Sequence, residues 1–243
     1  MIDPHRAPGP TGVPGRPGPR PRCAHIVDVP SWSVVVPAKR LAAAKTRLRP
    51  LTGVTGADHE ALVLALLADT VAAAVGCPRV GSVVVVTDEP VAAELVRRLG
   101  ARSVPDEPGS GLNPALEHGA RAAGGTAVAA LSSDLPALLP GELAAALDAA
   151  AAAPRCFVAD AQGTGTTLLT AVGTTLRPRF GRNSARAHAG DGARAVTGDW
   201  PGLVRDVDTP GDLRAAVALG VGPRTSELLR SSSTLAVSLG AAR

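Results

Sequence analysis

Residues 80–99 read VGSVVVVTDEPVAAELVRRL. Val83 to Val86 form an unbroken run of β-branched residues, which favours a strand covered on both faces over one that alternates between core and water. Asp88 follows the run. Pro90 then stands where a first helical turn tolerates proline, and the residues to Leu99 space their apolar side chains as a helix does. A buried strand passing at once into a helix is half of a parallel βαβ unit.

The same alternation extends outward in both directions. Toward the N-terminus, Val34 to Val36 is a short strand stopped by Pro37, and Asp58 to Val75 has helical spacing with Asp58 as its cap. Toward the C-terminus come a strand at Arg102 to Val104 and a helix from Leu112 to Ala123, halted by Gly124-Gly125. Thr126 to Leu131 is a third strong strand, Pro140 to Ala152 a helix, and Cys156 to Val158 a strand. The pattern predicts an α/β fold of three layers, a mostly parallel central sheet between helices. Ligands of such sheets bind beyond the carboxyl ends of the strands. Lys39 with Arg40, Asp88 and Asp134 each follow a strand directly, so all belong on one edge.

The 243 residues suffice for one sizeable domain. Hydrophobic residues make up 45% but aromatic ones only 2%, with no tyrosine, so the core must be built from Ala, Val and Leu. Scarce rings argue against single-stranded nucleic acid as a partner, because that binding stacks bases on aromatics. The net charge of +4 is better explained by a small anionic ligand. Cys23, Cys77 and Cys156 are far apart and lack metal-ligand spacing, which reads as free thiols in a reducing cytoplasm. The longest apolar run, Ala61 to Val75, is interrupted by Asp69 and falls short of the roughly 20 residues of a membrane span. Residues 1–29 read as a disordered tail rich in Pro, Gly and Arg, 30–223 as the folded domain, and 224–243 as a C-terminal helix with a loose end from Arg230.

The basic segment after the first strand, PAKRLAAAKTRL (37–48), has four cations and no acid. A triphosphate carries about four negative charges, and one cation about 4 Å from one of them contributes roughly 4 kcal/mol at an effective dielectric near 20, before desolvation. The segment is no Walker loop, since GxxxxGK[ST] is absent. Asp134, in SSDLPAL (132–138), emerges on the same edge. Mg²⁺ takes oxygen ligands, typically one or two carboxylates plus phosphates. Asp134 with either Asp206 or Asp208 is the expected metal pair; Thr209 reads as the cap of a helix with Pro210 at its first position, and the remaining aspartate is a second candidate for that cap. The residues before it, Val204 onward, read as a strand end. GTGTT (163–167) offers backbone N–H groups and hydroxyls without bulk and feeds another strand. FGRNSARAH (180–188) reads as a turn into a helix whose N-terminus, with Ser184, Arg182 and Arg186, would hold a second anion. His188 alone is read as a packing or surface histidine.

Taken in order, PAKRLAAAKTRL, SSDLPAL, GTGTTLLTA, FGRNSARAH and RDVDTPGDL resemble the guanylyltransferases of coenzyme F-420 (deazaflavin) biosynthesis, from about Trp32 to Pro223. That family joins GTP to phosphoenolpyruvate or 2-phospho-L-lactate and releases diphosphate. The resemblance implies a Rossmann-like, GT-A-like nucleotidyltransferase fold. It implies that Lys39, Lys45 and Arg47 contact GTP phosphates, and that Asp88 and Asn113 lie near the nucleoside. Asp134 and Asp206, with Asp208 as a further candidate, would hold Mg²⁺. Thr166, Gly181 and Ser184 would bind the three-carbon acid. A downstream transferase of the same pathway is the implied partner, and the oligomeric state stays open, a homodimer among the options. The composition favours phosphoenolpyruvate by association, because rich Ala, Arg, Gly and Pro fit a GC-rich actinobacterial genome. Other readings are a sugar-phosphate or molybdopterin nucleotidyltransferase, and a GTP-binding protein without catalysis. A glycine-rich segment directly after the first strand would have favoured the former, and Pro37-Ala-Lys-Arg40 stands there instead.

Overall fold

The computed structural model describes residues 31–38, 46–52, 56–107 and 109–238. The tail at 1–29, and Lys39, Arg40 and Lys45 of the basic segment, lie outside the described residues. In chain order the elements are β1 (Trp32–Pro37), a 3-10 turn (Thr46–Leu48), α1 (Arg49–Thr52), α2 (Gly56–Val75), β2 (Val80–Val86), α3 (Pro90–Arg98), β3 (Arg102–Val104), α4 (Leu112–Ala123) and β4 (Ala127–Leu131). There follow α5 (Pro140–Ala150), β5 (Arg155–Ala159), β6 (Thr166–Val172), α6 (Ser184–Gly190), β7 (Arg194–Ala195), α7 (Pro210–Leu219), α8 (Pro223–Ser231) and α9 (Ser233–Ser238).

Among the described residues seven strands form one sheet in the order β3-β2-β1-β4-β6-β5-β7. β1 pairs in parallel with β2 and β4, and β2 with β3. Alternate residues of β1 enter different cores. Val34 and Val36 pack with Leu67 and Val71 of α2 and Leu143 and Leu147 of α5, whereas Val35 packs with Ala115 and Leu116 of α4. The sheet is therefore covered on both sides, and the valine runs are continuous because each position meets a helix. Gly119 lets α4 sit directly on the sheet, since a Cβ there would come within 2.5 Å of Val35 and Val86.

The sheet is mostly parallel as expected, and its second half supplies the antiparallel pairings. β6 runs antiparallel to both β4 and β5. Its first residue, Thr166, consequently lies at the edge where β1 and β4 end, and Ser132 N donates to Thr167 O at 2.8 Å to extend that pairing. An antiparallel strand can deliver its entry loop to an edge where parallel strands deliver their exits.

Three further features differ from the sequence reading. Helix α2 begins at Gly56, so Asp58 stands inside the first turn rather than capping it, where a carboxylate still complements the positive helix end. Residues 205–208 are irregular, not a strand end. The stretch from Arg230, unpatterned in sequence, contains α9, and its Leu235 is fully buried against Leu48 and Leu51. Asp69, in the middle of apolar α2, is explained by tertiary contact: its carboxylate accepts from Arg224 N at 3.0 Å and Thr225 N at 2.8 Å and so caps α8. Among the described residues no helix is long and apolar enough to cross a membrane.

Candidate active site

The carboxyl ends of β1 and β4, the start of β6 and the start of α6 surround a cavity of about 980 Å³. It lies where strand order reverses, with β2 on one side of β1 and β4 on the other, the location at which open α/β sheets bind ligands. One wall is charged. Arg47, Asp134, Asp206 and Asp208 all line it. Asp134 is buried at 6% exposure, and its carbonyl accepts from Val207 N at 3.1 Å. That bond lays residues 206–208 alongside the end of β4. Val207 is fully buried, and the aspartates on either side of it both reach the cavity. Neither aspartate caps α7, because Thr209, the cap read from the sequence, forms a complete capping box there with Asp212.

Among the described residues no group of three or more acids, histidines or cysteines stands close enough to hold a metal ion. Asp134, Asp206 and Asp208 do bring carboxylate oxygens to one cavity, and a hard cation held by one or two carboxylates is completed by waters and ligand phosphates.

The opposite wall is mostly neutral, with Asp160 and Arg182 as its charged members. Thr166, Gly181 and Ser184 line the same cavity, joined by Thr164, Gly165 and Asn183. Asp160 shapes the Gly-Thr loop, its two carboxylate oxygens accepting from Thr164 N at 2.9 Å and Gly165 N at 2.8 Å. A Cβ on Gly165 would collide with that carboxylate. The start of α6 does not offer free amides as the sequence suggested. Ser184 N donates to Gly181 O and Ala185 N to Thr164 O, so the first N–H groups of this seven-residue helix are used in holding the wall together. Arg182 lines the cavity, while Arg186 is exposed and not among its lining residues.

His188 is neither at the surface nor merely packed. It is 1% exposed, with Nδ1 2.9 Å from Thr166 Oγ1 and Nε2 accepting from Arg179 N at 2.9 Å. Ser184 Oγ lies 3.2 Å from Thr166 Oγ1. Phe180 meets the imidazole edge-on, with centroids 5.2 Å apart. Burial pushes the His188 pKa down to about 4, against the raising influence of Asp191 and with smaller lowering contributions from Arg179 and Arg155. The ring is therefore neutral near pH 7. Sequence reasoning missed this role because Thr166 and Arg179 become its neighbours only on folding.

Asp88 and Asn113 are not among the lining residues. Asp88 is exposed and accepts from Asp106 N at 2.9 Å. Asn113 spends both ends of its amide on Phe180, donating to its carbonyl at 3.1 Å and accepting from its N–H at 2.8 Å. It thus braces the loop that carries Gly181 and Ser184.

Residues 32–240 match the family model described as Guanylyl transferase CofC like. The chain belongs to this family. It is 72% identical over 207 residues to a phosphoenolpyruvate guanylyltransferase of Geodermatophilus obscurus, covering 84% of this chain and 96% of the relative. It is 54% identical over 208 residues to the Salinispora arenicola protein of the same name, covering 84% and 96%. The fold is that of nucleotidyltransferases. A putative nucleotide-diphospho-sugar transferase from Desulfovibrio desulfuricans G20 superposes with TM-score 0.59 at 16% identity, covering 86% of this chain and 94% of that one. A nucleotidyl transferase from Methanothermobacter superposes with TM-score 0.54 at 22% identity, covering 83% and 99%. As a member of the family, the chain is a nucleotidyltransferase of the guanylyl-transferring kind.

Proposed function

We propose that the enzyme joins GTP to phosphoenolpyruvate in coenzyme F-420 biosynthesis, releasing diphosphate and handing its enolpyruvoyl-diphosphoguanosine product to a downstream transferase. The observation that carries this reading is one cavity in which a wall of three aspartates and Arg47 faces a mostly neutral, donor-rich wall. The charged wall suits a metal-bound triphosphate, and the neutral wall suits a small acid phosphate. The names of the relatives at 72% and 54% identity favour phosphoenolpyruvate over phospholactate.

A phosphate oxygen of phosphoenolpyruvate attacks the α-phosphorus of GTP in line. The new O–P bond forms as the bond between the α-phosphorus and the β-bridging oxygen breaks, and diphosphate leaves with that electron pair. The attacking oxygen is already anionic at neutral pH, so no general base is required. The barrier lies in bringing two polyanions together, so positioning and charge neutralisation carry the catalysis. Bound Mg²⁺ would neutralise phosphate charge and orient the triphosphate. Asp134 with Asp206 or Asp208 would hold it, and Arg47, with Lys39 and Lys45, would meet the phosphates of GTP. Thr166, Gly181 and Ser184 would hold the acid, with Asn113 and Asp160 keeping their loops in place. A general acid or base is not called for by this reaction, which agrees with His188 being turned away from acid–base duty by its two hydrogen bonds.

The test is incubation of the purified protein with Mg-GTP and each acid in turn, read by diphosphate release and by coupling to the downstream transferase. Phosphoenolpyruvate should support turnover. Diphosphate release with phospholactate alone would reassign the substrate, and none with either acid would overturn the reaction.

A further inference from the structure

His188 is buried and hydrogen-bonds one cavity residue, Thr166, whose hydroxyl also meets Ser184, yet the reaction has no evident use for an imidazole. Its hydrogen bonds fix more than its position. Arg179 N–H has only a proton to give, and it gives it to Nε2 at 2.9 Å. Nε2 is therefore the bare nitrogen, and the single proton of the neutral ring is on Nδ1. Nδ1 faces Thr166 Oγ1 at 2.9 Å, so the ring donates and the threonine oxygen accepts.

The consequence follows from counting protons. The ring N–H, the Thr166 hydroxyl and the Ser184 hydroxyl supply three. The His188–Thr166 contact uses the ring proton, and the Thr166–Ser184 contact at 3.2 Å uses one hydroxyl proton. One hydroxyl proton is left for an acceptor in the cavity that both residues line. In the opposite tautomer Thr166 would donate to Nδ1 and Ser184 to Thr166. No proton would remain, and the pair would face an anion with lone pairs alone.

We infer that His188 is a positioning residue whose tautomer, set by the Arg179 amide, makes the Thr166–Ser184 pair a hydrogen-bond donor to an anionic oxygen of the acid substrate. This rests on the acid-binding role given above to that wall. The imidazole works through Thr166 and does not touch the substrate. Selectivity for an anion over a neutral ligand is thereby written in a ring about one residue behind the surface of the site.

Two substitutions separate this from simple packing. An asparagine amide stands near the place of Nδ1 and can still donate to Thr166, whereas a glutamine amide reaches the place of Nε2 and keeps the Arg179 contact instead. His188→Gln should raise KM for phosphoenolpyruvate about 10- to 100-fold, the usual effect of losing a hydrogen bond to a charged group, with KM for GTP within about twofold. His188→Asn should recover most of the loss. Equal increases for both variants, or a parallel rise in KM for GTP, would overturn the inference. Nitrogen-15 NMR of the wild-type imidazoles, with His188 assigned by the His188→Asn spectrum, should show Nδ1 protonated and Nε2 bare. The reverse tautomer would overturn the inference whatever the kinetics show. Wild-type protein inactive with both acids would instead overturn the assigned reaction, leaving the tautomer to be decided by NMR.

Discussion

The two walls of the cavity are built by different means. The wall at the ends of β1 and β4 carries its chemistry in charges, Arg47, Asp134, Asp206 and Asp208. The wall made by β6, α6 and the loop before α6 carries it mainly in neutral donors, with Arg182 and Asp160 beside them, held by a network: Asp160 to the Gly-Thr loop, Asn113 to Phe180, and His188 to Thr166. A charged group acts over several ångströms and needs only approximate placement. A hydroxyl acts over one hydrogen bond and needs its direction set. The neutral wall accordingly invests in supporting contacts, and the charged wall in proximity to the strand ends.

The difference can be broken most severely at the charged wall. Asp134→Ala should lower kcat/KM by about a thousandfold, comparable with removing a key transition-state contact. The fold should survive, because the contact to Val207 is made by the Asp134 backbone. Diphosphate release near the wild-type rate would remove Asp134 from the metal set. Next in size, Ser184→Ala should raise KM for the acid about tenfold while leaving KM for GTP nearly unchanged. Equal changes in both would mean the two walls do not divide the substrates between them.

Asn113→Ala sharpens the comparison further. The resemblance assigns this residue to the nucleoside, but its amide contacts are with Phe180 on the acid wall. Titration of both substrates should show a several-fold rise in KM for the acid and little change for GTP. A selective effect on GTP would restore the nucleoside assignment. The smallest effect expected is on stability. The His188 pKa is lowered in the folded protein to about 4, so between its ordinary value of 6.5 and about 4 the unfolded chain binds more protons. Stability should therefore fall as pH drops through that window, and the drop in melting temperature should be shallower in His188→Asn. An identical pH slope in the two proteins would show that the imidazole does not titrate in the way its burial requires.

Much of the charged wall was legible in the sequence. Val34 to Val36 and Thr126 to Leu131 mark strands by composition, and whatever follows a parallel strand must emerge at its carboxyl edge. Asp134 could be placed by that rule alone. The neutral wall was less legible. GTGTT and FGRNS announce turns, but turns say little about which carbonyls their amides meet. The amides of Ser184 and Ala185, expected to be free for an anion, are taken by Gly181 O and Thr164 O, and Thr164 lies 21 residues before its partner Ala185 in a different loop.

The sequence by itself determined the class of the fold and the edge at which chemistry would be found, since both follow from local periodicity and from where polar residues interrupt it. It also determined the family, through five motifs in order. Only the tertiary structure decided that β6 runs backward and so brings Thr166 to that edge, that Asp69 caps α8 across 155 residues, and that His188 is buried between Thr166 and the Arg179 amide. Each of these depends on hydrogen bonds between groups distant in the chain, whose direction is fixed by which partner has a proton to give.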